Sequence, residues 1–239
     1  NANVPFKEPY DGARMVAGFT WAIISMWTTD PSIKTFADLK GKSAHLGPKG
    51  ATPGKLTTKM MEVAGFLDQV RVSYGTFGQM ADALNDGLVD ATVVTGGGYI
   101  GTGVAPSPYT LPVHGARKPT YIRISQEEVK RATDAMRYTG IRYYPNLPAG
   151  SLFDDQPEIS AWTHDMGWWA DKSMDEEITY ELAKIIVENA GKFGSYHKAG
   201  SFMTRENVPR ASVPKELFHL GALRYYQEQN IPVGLEALR

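Results

Sequence analysis

The chain has 239 residues, of which 42% are hydrophobic and 21% charged, and it contains no cysteine. These values are ordinary for a globular protein and exclude collagen-like, low-complexity and disulfide-rich classes. The formal net charge of −1 provides no overall field that would attract nucleic acid. The most apolar stretch, residues 15–27, is shorter than the roughly 20 residues that cross a bilayer. We therefore expect a chain that neither binds nucleic acid nor spans a membrane.

The first half of the chain predicts alternating strands and helices. Residues 15–27 are rich in aromatic and β-branched side chains and predict a long strand. The elements predicted next are a helical turn at 35–39, a strand at 43–46, a helix that begins at 53 and stops at Gly65, a strand at 70–74, a helix opening at 76 and a strand at 89–95. Thr52 is the predicted N-cap of the first helix, with Pro53 at its first position. Thr76 and Gln79 predict a capping box for the second helix. This β-α-β-α-β order is typical of a parallel sheet.

The second half is less regular. Residues 101–120 predict a loop with a short strand near 109–113. The elements predicted next are a helix at 126–138, a strand at 141–144, a second aromatic extended run at 159–170 and an amphipathic segment at 214–229. Ser173 and Glu176 predict a capping box at the start of the longest helix. The apolar face of that helix is predicted to carry Ile178, Leu182, Ile185 and Ile186.

The two aromatic runs bracket the alternating unit, which predicts a chain of two lobes. We expect residues 15–27 and 159–170 to lie side by side as strands that cross between the lobes. The first lobe, discontinuous and incomplete, would comprise residues 1–30 and 159–239, and the second α/β lobe residues 31–158. A cleft between two lobes is a common place for a ligand. The predicted fold class is therefore bilobal α/β.

Motifs for catalysis and metal binding are missing from the sequence. The five histidines lack the short-spaced partners that metal ligation requires, and no nucleophile, phosphate-loop or dinucleotide motif is present. The adjacent carboxylate pairs, Glu127–Glu128 and Asp154–Asp155, are typical of a solvated surface. We predict no catalytic residue, no metal and no cofactor.

A glycine-rich segment, residues 47–54, is the first candidate binding site. It ends a predicted strand and opens a helix, whose first N–H groups have no helical partner and whose dipole end is positive. Such a helix start binds carboxylate or phosphate groups, although a surface helix capped by Thr52 is the alternative. The second candidate is residues 95–99, predicted as a glycine loop at the carboxyl end of the last strand, where ligands of open α/β sheets lie. A flexible loop without a ligand is the alternative there.

Residues 33–42, followed by His45, Leu46, Gly47 and Pro48, resemble the opening motif of type II periplasmic solute receptors. With residues 77–90, 147–150, 180–189 and 219–226, nearly the whole chain more closely resembles the TAXI-type receptors of tripartite ATP-independent periplasmic (TRAP) transporters. The resemblance implies a periplasmic receptor, not an enzyme, that captures a small carboxylate or an amino acid such as glutamate and delivers it to membrane permease subunits. Receptors of this family begin with a further glycine-rich strand–helix unit that this sequence lacks, so we expect either a fragment of a longer receptor or a protein that works differently. The family's loop also carries a hydroxyl where this chain has Ala51.

The residues expected to bind the ligand are Trp21, Lys49, Gly50, Ala51, Thr52, Gly54, Tyr74, Thr95, Gly96, Gly97 and Tyr99. Lys49 would supply a countercharge, or would be an ordinary solvated loop lysine. Trp21 would contact the ligand or belong to the core. Two other functions stay open: an enzyme on the same bilobal fold, and the effector-sensing domain of a transcription regulator, which should follow a helix-turn-helix segment.

Overall fold

The computed structural model describes residues 10–138 and 140–238. Its contacts divide the chain into two compact units, which we call the central unit (residues 21–164) and the terminal unit (residues 1–20 and 165–239). Strands and helices are present throughout, so the predicted α/β class is confirmed. The bilobal arrangement of the units stays a prediction.

The bounds of the elements are as follows. The strands are β1 (Ala13–Thr28), β2 (Ser43–His45), β3 (Arg71–Ser73), β4 (Ala91–Tyr99), β5 (Gly103–Pro106), β6 (Thr120–Ile122), β7 (Arg142–Leu147) and β8 (Ile159–Asp171). The α-helices are α1 (Thr52–Val63), α2 (Phe77–Asn85), α3 (Thr110–Arg117), α4 (Gln126–Met136), α5 (Glu176–Glu188) and α6 (Leu220–Glu228). Short 3-10 helices cover Phe36–Leu39, Leu67–Gln69, Ala190–Ser195, Lys198–Phe202, Lys215–Leu217 and Leu235–Leu238.

The sheet has the strand order β3-β2-β4-β1-β8-β7, with β5 beside β4 and β6 beside β1. Strand β2 is parallel to β3 and to β4, so the predicted β-α-β-α-β unit is confirmed. Strand β1 runs antiparallel to β4 and neighbours β8. The two aromatic runs therefore lie side by side, as expected. In the central unit the strands bury a core that includes Ile23, Trp27 and Val94.

The starts of three helices test the predicted caps. Thr76 and Gln79 form the predicted capping box of α2. The N-cap of α1 is Ala51 rather than Thr52, because Ala51 keeps the extended backbone (φ −78°, ψ 152°) while Thr52 is already helical. The N-cap of α5 is Asp175, whose carboxylate accepts from two first-turn amides. The predicted cap Ser173 instead donates its hydroxyl to Asp171.

The segment predicted as a loop with a strand near 109–113 contains β5 and α3. Strand β5 forms because β4 offers it a pairing edge, with Gly97 opposite Ala105. Helix α3 covers the residues predicted as a strand, and the Thr110 hydroxyl donates to the Ser107 carbonyl at its start. Val113 of α3 is buried in the same core cluster as Trp27. Its apolar side chain thus belongs to a helix face instead of a strand.

In the terminal unit, α6 packs closely on α5. A Cβ atom at Gly221 would lie 2.3 Å from the hydroxyl oxygen of Thr179, so only glycine allows this approach. Helix α5 consequently buries Thr179, Ala183 and Val187. Among the residues predicted for its core face, Ile178, Leu182 and Ile185 are exposed. The prediction was wrong for these three residues because close helix packing selected small side chains, whereas Ile186 packs against the core as predicted.

Within residues 10–138 and 140–238, no helix combines the length and apolarity that crossing a membrane requires.

Candidate functional site: an open helix start in the central unit

The carboxyl ends of β2 and β3 place two turns beside each other. Parallel strands end at the same edge of a sheet, and here the Leu46 amide donates to the Ser73 carbonyl at 3.1 Å. The Gly75 amide donates to the Gly47 carbonyl, also at 3.1 Å. These bonds join the turn that precedes α1 to the turn that precedes α2. Ligands of open α/β sheets lie at this edge.

Helix α1 begins without a side-chain cap in the part of the chain that the structure describes. The Lys55 amide donates to the Ala51 carbonyl at 3.0 Å as the first helical bond. The amides of Thr52 and Gly54 come before that bond and have no helical acceptor. Helix α2, on the same sheet edge, uses the Thr76 hydroxyl to accept a first-turn amide. The start of α1 is therefore the one of these two helix starts that can receive an anion.

Two glycines shape the approach to α1 in different ways. A Cβ atom at Gly54 would lie 2.7 Å from the Pro48 carbonyl oxygen and 3.1 Å from that of Leu46. The turn therefore packs directly on the first helical turn, and only glycine permits it. Gly50 is exposed, and a Cβ atom there would meet nothing within 4 Å. Backbone amides thus line the site on one side, and Gly50 leaves it open on another.

Tyr74 joins the site through a short hydrogen-bond chain. The Thr58 hydroxyl donates to the Gly54 carbonyl at 2.7 Å and lies 2.6 Å from the Tyr74 hydroxyl. Since the Thr58 proton is used towards Gly54, Tyr74 donates to Thr58. The exposed Lys49 ammonium lies 5.6 Å from the centre of the Tyr74 ring, a cation–π distance. Lys49, Tyr74 and the first turn of α1 are therefore brought together.

His45 holds the turn before α1 through a hydrogen bond to Gly47. Its side chain is buried, and its Nδ1 accepts the Gly47 amide at 3.1 Å. Burial lowers the pKa of His45 below its ordinary value, so the neutral ring is favoured, with the proton on Nε2. The sequence analysis named His45 among the histidines without a metal partner and within the receptor-like motif, but it did not predict His45 as a site residue. Its position at the end of β2, two residues before a glycine turn, was the available signal.

The predicted glycine loop at residues 95–99 is wrong, because this segment continues strand β4. Gly96 and Gly97 face Ile23 and Ala22 on one side and β5 on the other. A Cβ atom at Gly96 would lie 2.7 Å from the Ala105 carbonyl oxygen. The glycines thus allow close strand packing. Their ligand-binding role was predicted from a loop, and the backbone here is instead part of a paired strand.

Trp21 and Tyr99 lie in a buried aromatic group. Their ring centres are 5.2 Å apart, and both side chains are at most 3% exposed. The Arg142 guanidinium lies 3.8 Å from the centre of the Trp21 ring. Sequence analysis missed Arg142; a cation within the aromatic run at 141–144 was the only local signal. The alternative of Trp21 as a core residue is the one that its burial favours.

Thr95 is connected to the α1 site indirectly, through a hydrogen bond to Ser107 and an aromatic pair. Its hydroxyl donates to the Ser107 hydroxyl at 2.9 Å. Two residues further, Tyr109 stacks on Phe77 with ring centres 5.9 Å apart. The Phe77 ring lies beside Gly47. Phe77 and Tyr109, which were not among the predicted residues, therefore link β4 to the turn before α1.

Metal binding has no candidate here: the described residues contain no group of three or more histidine, aspartate or glutamate side chains placed to hold an ion.

An open helix start beside the carboxyl ends of parallel strands is an anion-binding arrangement of α/β proteins. Residues 1–229 match the model of the NMT1-like family. The chain belongs to the NMT1-like family. No curated protein matches it.

Solved structures that match this chain include the following three proteins. The aliphatic sulphonate-binding protein of Escherichia coli is 15% identical, with a TM-score of 0.37 over 92% of this chain and 56% of that one. An ancestral arginine-binding protein bound to glutamine is 18% identical, with a TM-score of 0.36 over 85% and 65%. A Xanthomonas citri protein bound to ATP is 12% identical, with a TM-score of 0.44 over 91% and 69%. The chain spans less than two thirds of the length of the sulphonate- and arginine-binding proteins.

Proposed function

We propose that this protein is a solute-binding receptor that captures a small organic anion at the start of α1. The ligand would place a carboxylate against the Thr52 and Gly54 amides. Lys49 would add a countercharge from the rim, and Tyr74 would form a wall. The protein would act by binding and release, without catalysing a reaction.

The observation that carries this proposal is the open first turn of α1. The turn over residues 46–48 packs on Gly54, which holds the amides in position before a ligand arrives. A pre-organised site avoids the cost of ordering its groups on binding. Hydrogen bonds between amides and a charged carboxylate contribute about 1.5–3 kcal/mol each. Two such bonds support useful affinity for a small ligand.

A charge placed beside the helix start tests the proposal. Gly50 precedes the N-cap and has open space around its Cβ position, whereas an aspartate at Gly54 would clash with the Pro48 carbonyl. We expect Gly50→Asp to weaken carboxylate binding at least tenfold, about 1.4 kcal/mol. Its carboxylate would compete for the positive helix end and repel an anionic ligand. Isothermal titration with mono- and dicarboxylates, including L-glutamate and succinate, provides the measurement.

The matched control is Gly50→Asn, which has the same shape without the charge. It should bind within about twofold of the wild type. Equal loss in both variants would assign the effect to shape and contradict the electrostatic argument. Failure of every carboxylate to bind the wild type, or full affinity in Gly50→Asp, would also overturn the proposal.

The transporter type and location form a further part of the proposal. The resemblance to TAXI-type receptors supports a periplasmic receptor that serves the permease of a TRAP transporter. It is carried by residues 33–48, 77–90, 147–150, 180–189 and 219–226 together. Uptake through such a permease should continue when cellular ATP is depleted and stop when ion gradients are collapsed. Uptake that requires ATP would instead assign the receptor to an ATP-driven transporter.

A further inference from the structure

A cavity separate from the start of α1 lies entirely within the terminal unit. Its volume is about 360 Å³, and its walls come from residues 205–210 and 229–237. The two walls are joined by backbone hydrogen bonds, including one from the Gly234 amide to the Pro209 carbonyl at 2.9 Å. Small-molecule sites have volumes of roughly 300–1,000 Å³. The cavity therefore has the size of a small-molecule site.

Arg205 crosses from one wall to the other. Its Nη2 donates to the backbone carbonyl of Gln229 at 3.0 Å and to the side-chain oxygen of Gln229 at 3.2 Å. Both bonds use Nη2, which carries two of the five N–H groups of a guanidinium. In the described part of the chain, Nε and Nη1 of Arg205 make no protein hydrogen bond. The guanidinium is thus oriented by Gln229 and keeps donors for a ligand.

Arg210 is the second cation of the cavity, and a buried amide holds it. Its Nη1 donates to Oδ1 of Asn207 at 3.0 Å. Asn207 is only 4% exposed, and its Nδ2 donates to the Phe202 carbonyl at 2.9 Å. Because both ends of the Asn207 amide are bonded, its orientation is determined. The amide therefore positions Arg210 at the cavity wall.

The charges of the cavity favour an anion. Arg205 and Arg210 contribute two positive charges, and Glu206 contributes one negative charge. A hydrogen bond from the Thr204 side chain lowers the pKa of Glu206, so this carboxylate stays charged at neutral pH. The lining therefore carries a net charge of one positive unit. Ile231 and Pro232 add an apolar surface on which a short carbon chain can pack.

We propose that this cavity is a second ligand site, one that binds a small organic oxyanion through the guanidiniums of Arg205 and Arg210. Guanidinium N–H groups donate charge-assisted hydrogen bonds to carboxylates and phosphates. A carboxylate and a phosphate can each accept hydrogen bonds from the guanidinium donors of this cavity. The site shares no residue with the start of α1, so it stands whether or not that site binds a solute.

Site-resolved NMR of the ¹⁵N-labelled protein tests the proposal. Succinate and inorganic phosphate are titrated separately at constant ionic strength. We expect the amide signals of residues 205–210 and 229–231 to shift saturably with at least one probe, and the tighter probe identifies the preferred oxyanion. Arg205→Gln should weaken this binding at least tenfold. Arg205 is exposed, so the variant should keep the dispersion of the wild-type spectrum.

Lys198→Gln is the control, because it removes one positive charge from an exposed position of the same unit. It should leave the affinity within about twofold of the wild type. Equal weakening in both variants would reduce the effect to overall charge and overturn the proposal. Shifts that do not saturate with either probe would overturn it as well. Gly50→Asp should not change these signals, and a change there would place the binding at α1 instead.

Discussion

Gly54→Ala sets two physical effects against each other at the start of α1. Alanine is favoured over glycine in a helix by about 0.8–1.0 kcal/mol, so helix propensity alone predicts a more stable protein. The structure predicts the opposite. The added methyl would lie 2.7 Å from the Pro48 carbonyl oxygen and 3.1 Å from that of Leu46. Backbone atoms cannot rotate away from such an overlap as a flexible side chain can.

The size of the effect follows from these distances. Inserting a methyl group into a tightly packed site costs about 1–3 kcal/mol. Two carbonyl oxygens are crowded at once, which places the cost in the upper part of that range. After the gain in helix propensity, we expect a net loss of about 1–2 kcal/mol in the free energy of unfolding. Gly50→Ala is the control, because its methyl meets nothing within 4 Å.

Urea unfolding followed by circular dichroism measures both variants. Gly50→Ala should remain within about 0.5 kcal/mol of the wild type, as surface substitutions usually do. A Gly54→Ala protein as stable as Gly50→Ala, or more stable, would show that the turn over residues 46–48 does not press on α1. The pre-organisation of the proposed site would then lose its basis.

Two further predictions concern a helix cap and a buried histidine. Asp175→Ala should lower the free energy of unfolding by about 1 kcal/mol, while Ser173→Ala should change it by less than about 0.5 kcal/mol. Thermal unfolding of both variants measures this difference. A larger loss in Ser173→Ala than in Asp175→Ala would contradict the observed cap. Burial lowers the pKa of His45 in the folded protein, so the unfolded state binds the proton more readily than the folded state does. The neutral, buried ring therefore contributes stability above about pH 6.5, and this contribution is lost as the pH falls. The stability advantage of the wild type over His45→Asn should therefore shrink between about pH 7 and 5, measured as urea midpoints, and a constant difference would contradict this.

Much of the central unit was predictable because its signals are local. The alternation of apolar runs with capped helices predicted β2, α1, β3, α2 and β4 in order. The Thr76–Gln79 capping box needs only residues three apart, and it is present. The position of the start of α1 was predicted from its glycines and proline, although the sequence left open whether Thr52 would cap it. The predicted N-cap position, Thr52, was wrong by one residue, since the N-cap in the structure is its neighbour Ala51.

The parts that failed depend on remote partners. The glycines at 96–98 look like a loop in isolation, but β1 and β5 pair with them on both sides. The apolar pattern of α5 favoured Ile178 as a core residue, yet the glycine of α6 brought the backbones so close that Thr179 and Ala183 became the buried side chains. Arg142 carries no signal beyond its residue type until the fold places it over Trp21.

The sequence by itself therefore determined the order of elements from β2 to β4, the parallel unit and the position of the helix start at which we propose anion binding. Each of these follows from neighbours along the chain, through caps, turns and apolar periodicity. Tertiary structure alone decided that the glycines of β4 were paired on both edges, which face of α5 was buried and which cations lined a cavity. Those outcomes depend on groups such as Arg205 and Gln229, which are far apart in the chain and meet only after folding.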